Sequence, residues 1–394
     1  MNVLFLMKAY HIGGIEVVTA VLANNFIKHG HKVCIVTFNA PDDMMIEKTD
    51  SKVKIYNLGH YEYSEANAKK LRSILVENSI DVVVNQWGLP YIPCRVLMKA
   101  KQGLNVKTIA VYHNQIDTNA RIKDVEIAIA STNSSVRKFI LGIKKAVVKA
   151  ISSASMKYVY NHSDIYQVLS ESYVDLFKQF TGIRNPRKLM VQTNPVTVDA
   201  SQYHYVQTEK RKEIVYMGRI DYNQKRAYRV IDTWVLLEDR FPDWQLTIIG
   251  DGAERGNIEE QVARMNLKHV VFEGFQKPEP YYERASLLLL TSEYEGFPLV
   301  LPECMSYGVV PIVYDSYSAV KDIIEDKING VIIPFHSSGY NAKEAADKIS
   351  TIMDNESVRD DMAKAAIKKS KCYVIENVYK SWENTFKALI NEEI

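Results

Sequence analysis

Short, wholly apolar runs alternate with longer amphipathic segments along this chain, and that alternation is the tightest constraint on its fold. Residues 3–7 (Val-Leu-Phe-Leu-Met) read as a buried strand, 11–14 as a glycine loop, 15–29 as an amphipathic helix closed by Gly30, and 32–38 as the next strand. Further apolar strands fall at 82–85, 108–112 and 165–169. A second series follows at 213–217, 245–249, 270–272, 285–290 and 309–313. Strands alternating with helices give a parallel, doubly wound sheet covered on both faces. Between the two series the pattern lapses over 192–207, around Asn194-Pro195-Val196, which marks a linker. A chain of 394 residues also exceeds one comfortable core. The expectation is an α/β protein of two Rossmann-like domains, 1–198 and 199–372. A last helix near 373–390 carries Tyr379, Trp382 and Phe386 at helical spacing and needs an apolar surface to cover.

Bulk properties narrow the class. Hydrophobic residues make up 47% and charged residues 24%, ordinary for a globular protein. The net charge of +2 gives no sign of a nucleic-acid partner, and none is expected. Cys34, Cys94, Cys304 and Cys372 stand far apart with no metal spacing, which fits unpaired thiols in a reducing compartment. No apolar run approaches the roughly 18 residues that span a bilayer, so the expected location is cytoplasmic, at most peripheral on the inner face of the membrane. One local asymmetry bears on this. Residues 121–160 hold eight Lys or Arg against Asp124 and Glu126. Part of that stretch interleaves Phe139, Ile140, Ile143, Val147 and Ile151 with lysines. Such a helix is either a solvated face over a packed stripe or a surface for anionic lipid.

The chemistry concentrates where strands end. Glu295-Gly296-Phe297-Pro298-Leu299-Val300-Leu301-Pro302-Glu303 places two carboxylates eight residues apart after the apolar strand 287–290. The spacing predicts a helix beginning at this segment and running to about Tyr307, with Gly308 as a left-handed stop. Helix starts at strand ends favour anions, so two carboxylates there make sense for a ligand that also carries hydroxyls, as a nucleotide sugar does. Gly218-Arg219 follows the first strand of the second half, and Lys225-Arg226 comes six residues later. Arg offers a planar fork and Lys a compact charge to diphosphate oxygens; alone, either is more often a surface ion-pair partner. Gly13-Gly14 with Glu16 sits at the first turn of the other half, where glycine lets backbone approach a phosphate, or simply makes a tight turn. It is not GxGxxG, which leaves a nicotinamide dehydrogenase as a distant reading. The Gly250-Asp251-Gly252 turn is equally weak alone. His113-Asn114 and Ser170-Glu171-Ser172 also follow strands and face the ligand end of the sheet. No Asp-x-Asp, HxxxH or HExxH occurs, so no metal is expected.

Taken jointly, these segments resemble the retaining GT4-type glycosyltransferases of GT-B fold. The resemblance rests on Glu295-x7-Glu303, on Gly218-Arg219 with Gln224-Lys225-Arg226, and on the Gly13-Gly14-x-Glu16 loop. Leu169 to Ser172, Asn194-Pro195-Val196 and Phe272-Glu273-Gly274-Phe275 add to it, and it covers nearly the whole chain. It implies two Rossmann-like domains facing each other across a cleft, the first completed by a C-terminal helix at 373–394. Glu295 would contact donor-sugar hydroxyls, the backbone of Gly296, Phe297, Pro298 and Leu299 the sugar and phosphate oxygens, and Glu303 the ribose hydroxyls. Arg219 and Lys225 would grip the diphosphate beside Gly218, and Gly13 and Gly14 would approach it. His113 would sit beside the donor sugar, and the segment ending at Phe275 would border the base.

The implied reaction moves a hexose-type sugar from a nucleotide sugar, UDP-linked by preference, to a glycan or lipid-linked glycan. It proceeds by a metal-free front-face displacement and serves surface polysaccharide synthesis. No cofactor beyond the nucleotide-sugar co-substrate is implied. Two other readings keep the same residues: an epimerase of the same architecture, and a non-catalytic sugar-nucleotide binding protein.

Overall fold

The computed structural model describes residues 1–390. It divides into two compact units, Met1–Thr197 together with the chain from Val374 onward, and Val198–Tyr373.

The first unit is built on seven strands: β1 (Asn2–Met7), β2 (Lys32–Thr37), β3 (Lys54–Asn57), β4 (Val82–Asn85), β5 (Lys107–Tyr112), β6 (Ile165–Val168) and β7 (Leu189–Val191). They lie in the order β3-β2-β1-β4-β5-β6-β7, and every pairing is parallel. Val3 to Met7 are wholly buried, as a strand covered by helices on both faces requires. The final helix, Ile375–Ile390, packs on the first, Gly14–Lys28. Its Trp382 and Phe386 rings meet Phe26 at 5.9 and 5.4 Å, and the Tyr379 hydroxyl pairs with His31 Nε2 at 2.9 Å. The expected helical extension over 391–394 lies outside the described residues.

The second unit carries β8 (Arg211–Met217), β9 (Gln245–Ile249), β10 (Val270–Gly274), β11 (Ala285–Leu290), β12 (Val310–Tyr314) and β13 (Val331–Ile333). Their order is β10-β9-β8-β11-β12-β13, again all parallel. The four leucines of β11 are at most 2% exposed, each contributing on the order of 1.5–3 kcal/mol of burial.

Both sheets reverse direction of growth once, between β1 and β4 and between β8 and β11. Ligands of such sheets bind beyond the carboxyl ends of the strands at that reversal. Three strands escape the sequence pattern: β3, β7 and β13. Each lies at the end of a sheet: β3 mixes Lys, Ile, Tyr and Asn, while β7 (Leu-Met-Val) and β13 (Val-Ile-Ile) are apolar but only three residues long, too short to stand out as strands.

Candidate active site

The second unit's reversal point brings together the loop after β8 and the loop after β11. Gly218 leaves β8 with φ +152°, donating its N–H to the Ile249 carbonyl at 3.0 Å. Gly250 (φ +138°) donates in turn to Gly274, and Ile220 N–H reaches the Asp251 carbonyl at 2.9 Å. The approach is close enough to exclude side chains. A Cβ on Gly250 would stand 1.9 Å from the Gly218 carbonyl oxygen, and one on Gly252 2.2 Å from that of Ile220. The Gly250-Asp251-Gly252 turn, uninformative by itself, is therefore what lets the β8 loop lie where it does.

Asp221 organises the next turn. Its Oδ1 accepts the amides of Gln224 (2.7 Å) and Lys225 (3.0 Å), and its Oδ2 accepts Arg219 Nε at 2.7 Å. Burial pushes this carboxyl up, but Arg219 and the two amides outweigh it and hold the pKa below the usual carboxylate value. Burial likewise opposes the Arg219 cation, and Asp221 more than compensates, raising its pKa. Arg226 follows in a left-handed conformation (φ 52°), a strained backbone of the kind that clusters at ligand sites.

The turn delivers Lys225 Nζ to Glu295 Oε1 at 2.7 Å, with the side chains 18% and 8% exposed. Gln224 spans the same gap, its Nε2 3.3 Å from the Tyr294 carbonyl and 3.4 Å from Glu295 Oε2, while its own carbonyl accepts Glu293 N–H. Arg229 locks the arrangement from behind through the Thr291 carbonyl (3.1 Å) and Glu293 (2.7 Å). Thus Gly218, Arg219, Lys225 and Glu295 form one cluster. Gln224, named from the sequence only as part of the Gln224-Lys225-Arg226 motif, helps hold it, as do Asp221, Arg229 and Glu293, which were not singled out; their proximity in sequence to Lys225 and Glu295 was the available signal.

One expectation needs correction. The helix does not begin at Glu295: it spans only Val300–Ser306, and the stretch before it is a loop. Pro298 disfavours a helical Phe297, and the first turn closes only with Leu301 N–H on the Pro298 carbonyl. Glu295 therefore lies in the loop and Glu303 in the first turn of a short helix. Gly308 does end the segment in a left-handed conformation (φ +69°). The Phe297 ring packs edge-on against Tyr373 at 5.3 Å, so its side chain anchors the loop and only its backbone faces outward chemistry. Among the described residues the amides of Gly296, Phe297 and Leu299 take no hydrogen bond, and Pro298 has none to offer. Glu303 is buried and accepts the Tyr282 hydroxyl at 3.4 Å; burial and the Glu303 charge keep that hydroxyl protonated. Phe275, just past Gly274 (φ +70°), stands apart with 68% of its surface exposed.

In the first unit the corresponding loops carry Gly13, Gly14 and His113. Gly13 is extended (φ −169°) and caps the helix that Gly14 opens, so neither needs glycine for backbone strain. A Cβ on Gly13 would meet only the far end of the Glu16 side chain, at 2.5 Å. Glu16 itself is pushed up by burial. His113 is held by a directed relay. Thr19 donates its hydroxyl to the Ile15 carbonyl (2.7 Å) and so accepts Gln86 Nε2 (3.0 Å). That turns Gln86 Oε1 towards His113 Nε2, at 2.6 Å, which must carry the proton. Nδ1 then offers a lone pair, buried and without a protein partner. Burial pulls the His113 pKa down to about 3, so the ring stays neutral. Gln86 follows β4 as His113 follows β5, a parallel that the sequence displays but that was not used. Among the described residues no cluster of His, Cys, Asp and Glu side chains stands ready to hold a metal ion.

Two Rossmann-like parallel sheets, with basic, carboxylate-bearing or glycine-bearing loops at their reversal points, define a protein of the GT-B class. Family models agree: Glycosyltransferase Family 4 matches residues 12–200 and Glycosyl transferases group 1 matches 201–369. The chain belongs to the GT4-type glycosyltransferases, and it is an enzyme of that kind. It is 23% identical over 392 residues to an uncharacterized glycosyltransferase of Haemophilus influenzae, covering 96% of this chain and 98% of the relative. It is 24% identical to an alpha-1,4-N-acetyl-D-galactosaminyltransferase of Campylobacter jejuni, with 97% of each chain covered. That enzyme is named for the acceptor GalNAc-alpha-(1->4)-GalNAc-alpha-(1->3)-diNAcBac-PP-undecaprenol. The Anabaena protein HepE, solved with UDP, superposes with a TM-score of 0.75 at 16% identity, over 98% of this chain and 100% of that one.

Proposed function

We propose that the chain transfers a hexose-type sugar from a UDP-sugar to a glycan or lipid-linked glycan, with retention and without a metal, in surface polysaccharide synthesis. The observation that carries this reading is the Lys225–Glu295 pair at the reversal point of the second sheet, with Arg219 on the same turn. A bound diphosphate would take over the Lys225 ammonium and the Arg219 guanidinium, which neutralise charge as it develops on the leaving oxygen. Glu295, released from Lys225, accepts donor-sugar hydroxyls. Glu303 accepts the ribose hydroxyls, and the amides of Gly296 to Leu299 serve the sugar and phosphate oxygens. Gly218 gives the diphosphate close access to backbone, and Phe275 offers a ring to the base. In the first unit, Gly13 and Gly14 present backbone and His113 accepts a hydroxyl at Nδ1.

With Glu295 and Glu303 committed to hydroxyls, neither of the paired carboxylates acts as a nucleophile, which favours front-face displacement. The bond from the anomeric carbon to the phosphate oxygen breaks, the bond to the acceptor oxygen forms on the same face, and the acceptor proton passes to the departing diphosphate. The UDP complex of HepE supports the choice of base, and the undecaprenol-linked acceptor of the Campylobacter enzyme supports a lipid-borne glycan. The same reading puts the enzyme at the cytoplasmic face of a membrane, held peripherally; no helix among the described residues is long and apolar enough to cross one. A thermal-shift panel of nucleoside diphosphates tests the donor: UDP should stabilise the chain and GDP should not. No shift with either would refute it.

A further inference from the structure

The helix Ser135–Asn161 is amphipathic the wrong way round for a surface helix. Its buried residues, Ser152, Met156, Val159 and Tyr160, all belong to the C-terminal half. Over the N-terminal half the apolar stripe faces water instead: Val136, Phe139, Ile140, Ile143, Val147 and Ile151 are each between 51% and 70% exposed. Their spacing keeps them on one side of a 3.6-residue helix. Arg137 and Lys144 border the stripe, Lys138 lies further round, and all three are exposed. The helix carries six Lys or Arg and no Asp or Glu in 27 residues. Lys145, on the inner side, pairs with Glu126 at 2.8 Å.

We infer that this face is the docking surface of the enzyme for an anionic lipid bilayer, lying in the headgroup plane with its apolar stripe sunk into the acyl boundary. The inference rests on the lipid-borne acceptor proposed above and assigns the surface that reaches it. Charge decides the occupant. A second copy of the chain would bring one row of cations against another along the seam, which repels. An anionic leaflet instead meets the bordering cations, Arg137 and Lys144, with phosphates while the stripe leaves water.

Flotation of the full chain with phosphatidylcholine vesicles, with and without phosphatidylglycerol, tests this. Wild type should float only with the anionic vesicles, less so as salt rises. F139E/I143E should lower that partition by roughly tenfold or more, and R137Q/K144Q should weaken it in the same direction. All three proteins should keep the same thermal shift with UDP and the same turnover of a water-soluble acceptor. Equal flotation on neutral vesicles, or F139E/I143E floating like wild type, would overturn the assignment. A wild-type dimer that these substitutions dissociate would also overturn it and give the face to a second copy. Absence of a UDP shift in every protein would strike the donor reading alone and leave the lipid surface standing.

Discussion

Removing Lys225 separates two consequences that the site geometry ties together. Its Nζ lies 2.7 Å from Glu295 Oε1, with side-chain exposures of 18% and 8%. Stripping one partner from a fully buried pair costs about 3–5 kcal/mol. Here some water reaches the lysine, and Gln224 Nε2 stays 3.4 Å from the other oxygen of Glu295, so about 2 kcal/mol is expected for Lys225→Ala. For a domain of this size that lowers Tm by roughly 4–8 °C. The catalytic loss should be larger, about 10²–10³ in kcat, because the ammonium meets charge that forms only as the diphosphate leaves. The double variant Lys225→Met with Glu295→Gln removes both charges and should recover most of the stability without recovering turnover. Scanning calorimetry and steady-state kinetics on the same preparations read both quantities. A kcat within about twofold of wild type for Lys225→Ala would refute the role given to the lysine.

Four further outcomes follow from the geometry. Glu303→Ala should weaken UDP binding by about tenfold or more in titration calorimetry, since a buried carboxylate loses its ribose contacts; unchanged affinity would remove that assignment. Gly250→Ala forces a Cβ to 1.9 Å from the Gly218 carbonyl at φ +138°, so a loss of about 3 kcal/mol or more, seen in urea unfolding, is expected together with weaker UDP binding. His113 is held near a pKa of 3 in the fold against about 6.5 when unfolded, so below pH 6.5 the unfolded chain takes a proton that the folded chain refuses. Stability should therefore fall as pH drops from 6.5 towards 3, by at most about 2 kcal/mol at pH 5, and His113→Gln should flatten that slope. Turnover should survive chelation by EDTA; its loss, restored by a divalent cation, would end the metal-free reading.

The alternation of apolar and amphipathic runs was enough to place the central strands, because β1, β4, β8 and β11 are buried on both faces and leave continuous apolar text. At the sheet ends, β7 and β13 are apolar but only three residues long, and β3 is mixed, so none stood out. At the candidate site, the residues proposed to meet a ligand carried chemical signatures: Arg219, Lys225, Glu295 and Glu303 are charged groups in the segments that follow β8 and β11. Those that hold them did not. Gln86 and Thr19 are uncharged and far apart in sequence, and their bearing on His113 exists only once β1, β4 and β5 are side by side. Gly250 reads as a generic turn until the Gly218 carbonyl is seen against it. The helix start was misplaced because the spacing of the two carboxylates after the strand was read without the constraint Pro298 sets on Phe297. The basic stretch of 121–160 left two readings open, and the exposure of Phe139 and its neighbours removes the one in which the apolar stripe is packed.

The most direct test of the proposed chemistry is the anomeric configuration of the product. Proton NMR of the new glycosidic linkage, formed from an α-linked UDP-hexose in the presence of EDTA, should show the α configuration. A β product would contradict a front-face displacement built on Lys225, Arg219 and a donor clamp of two carboxylates.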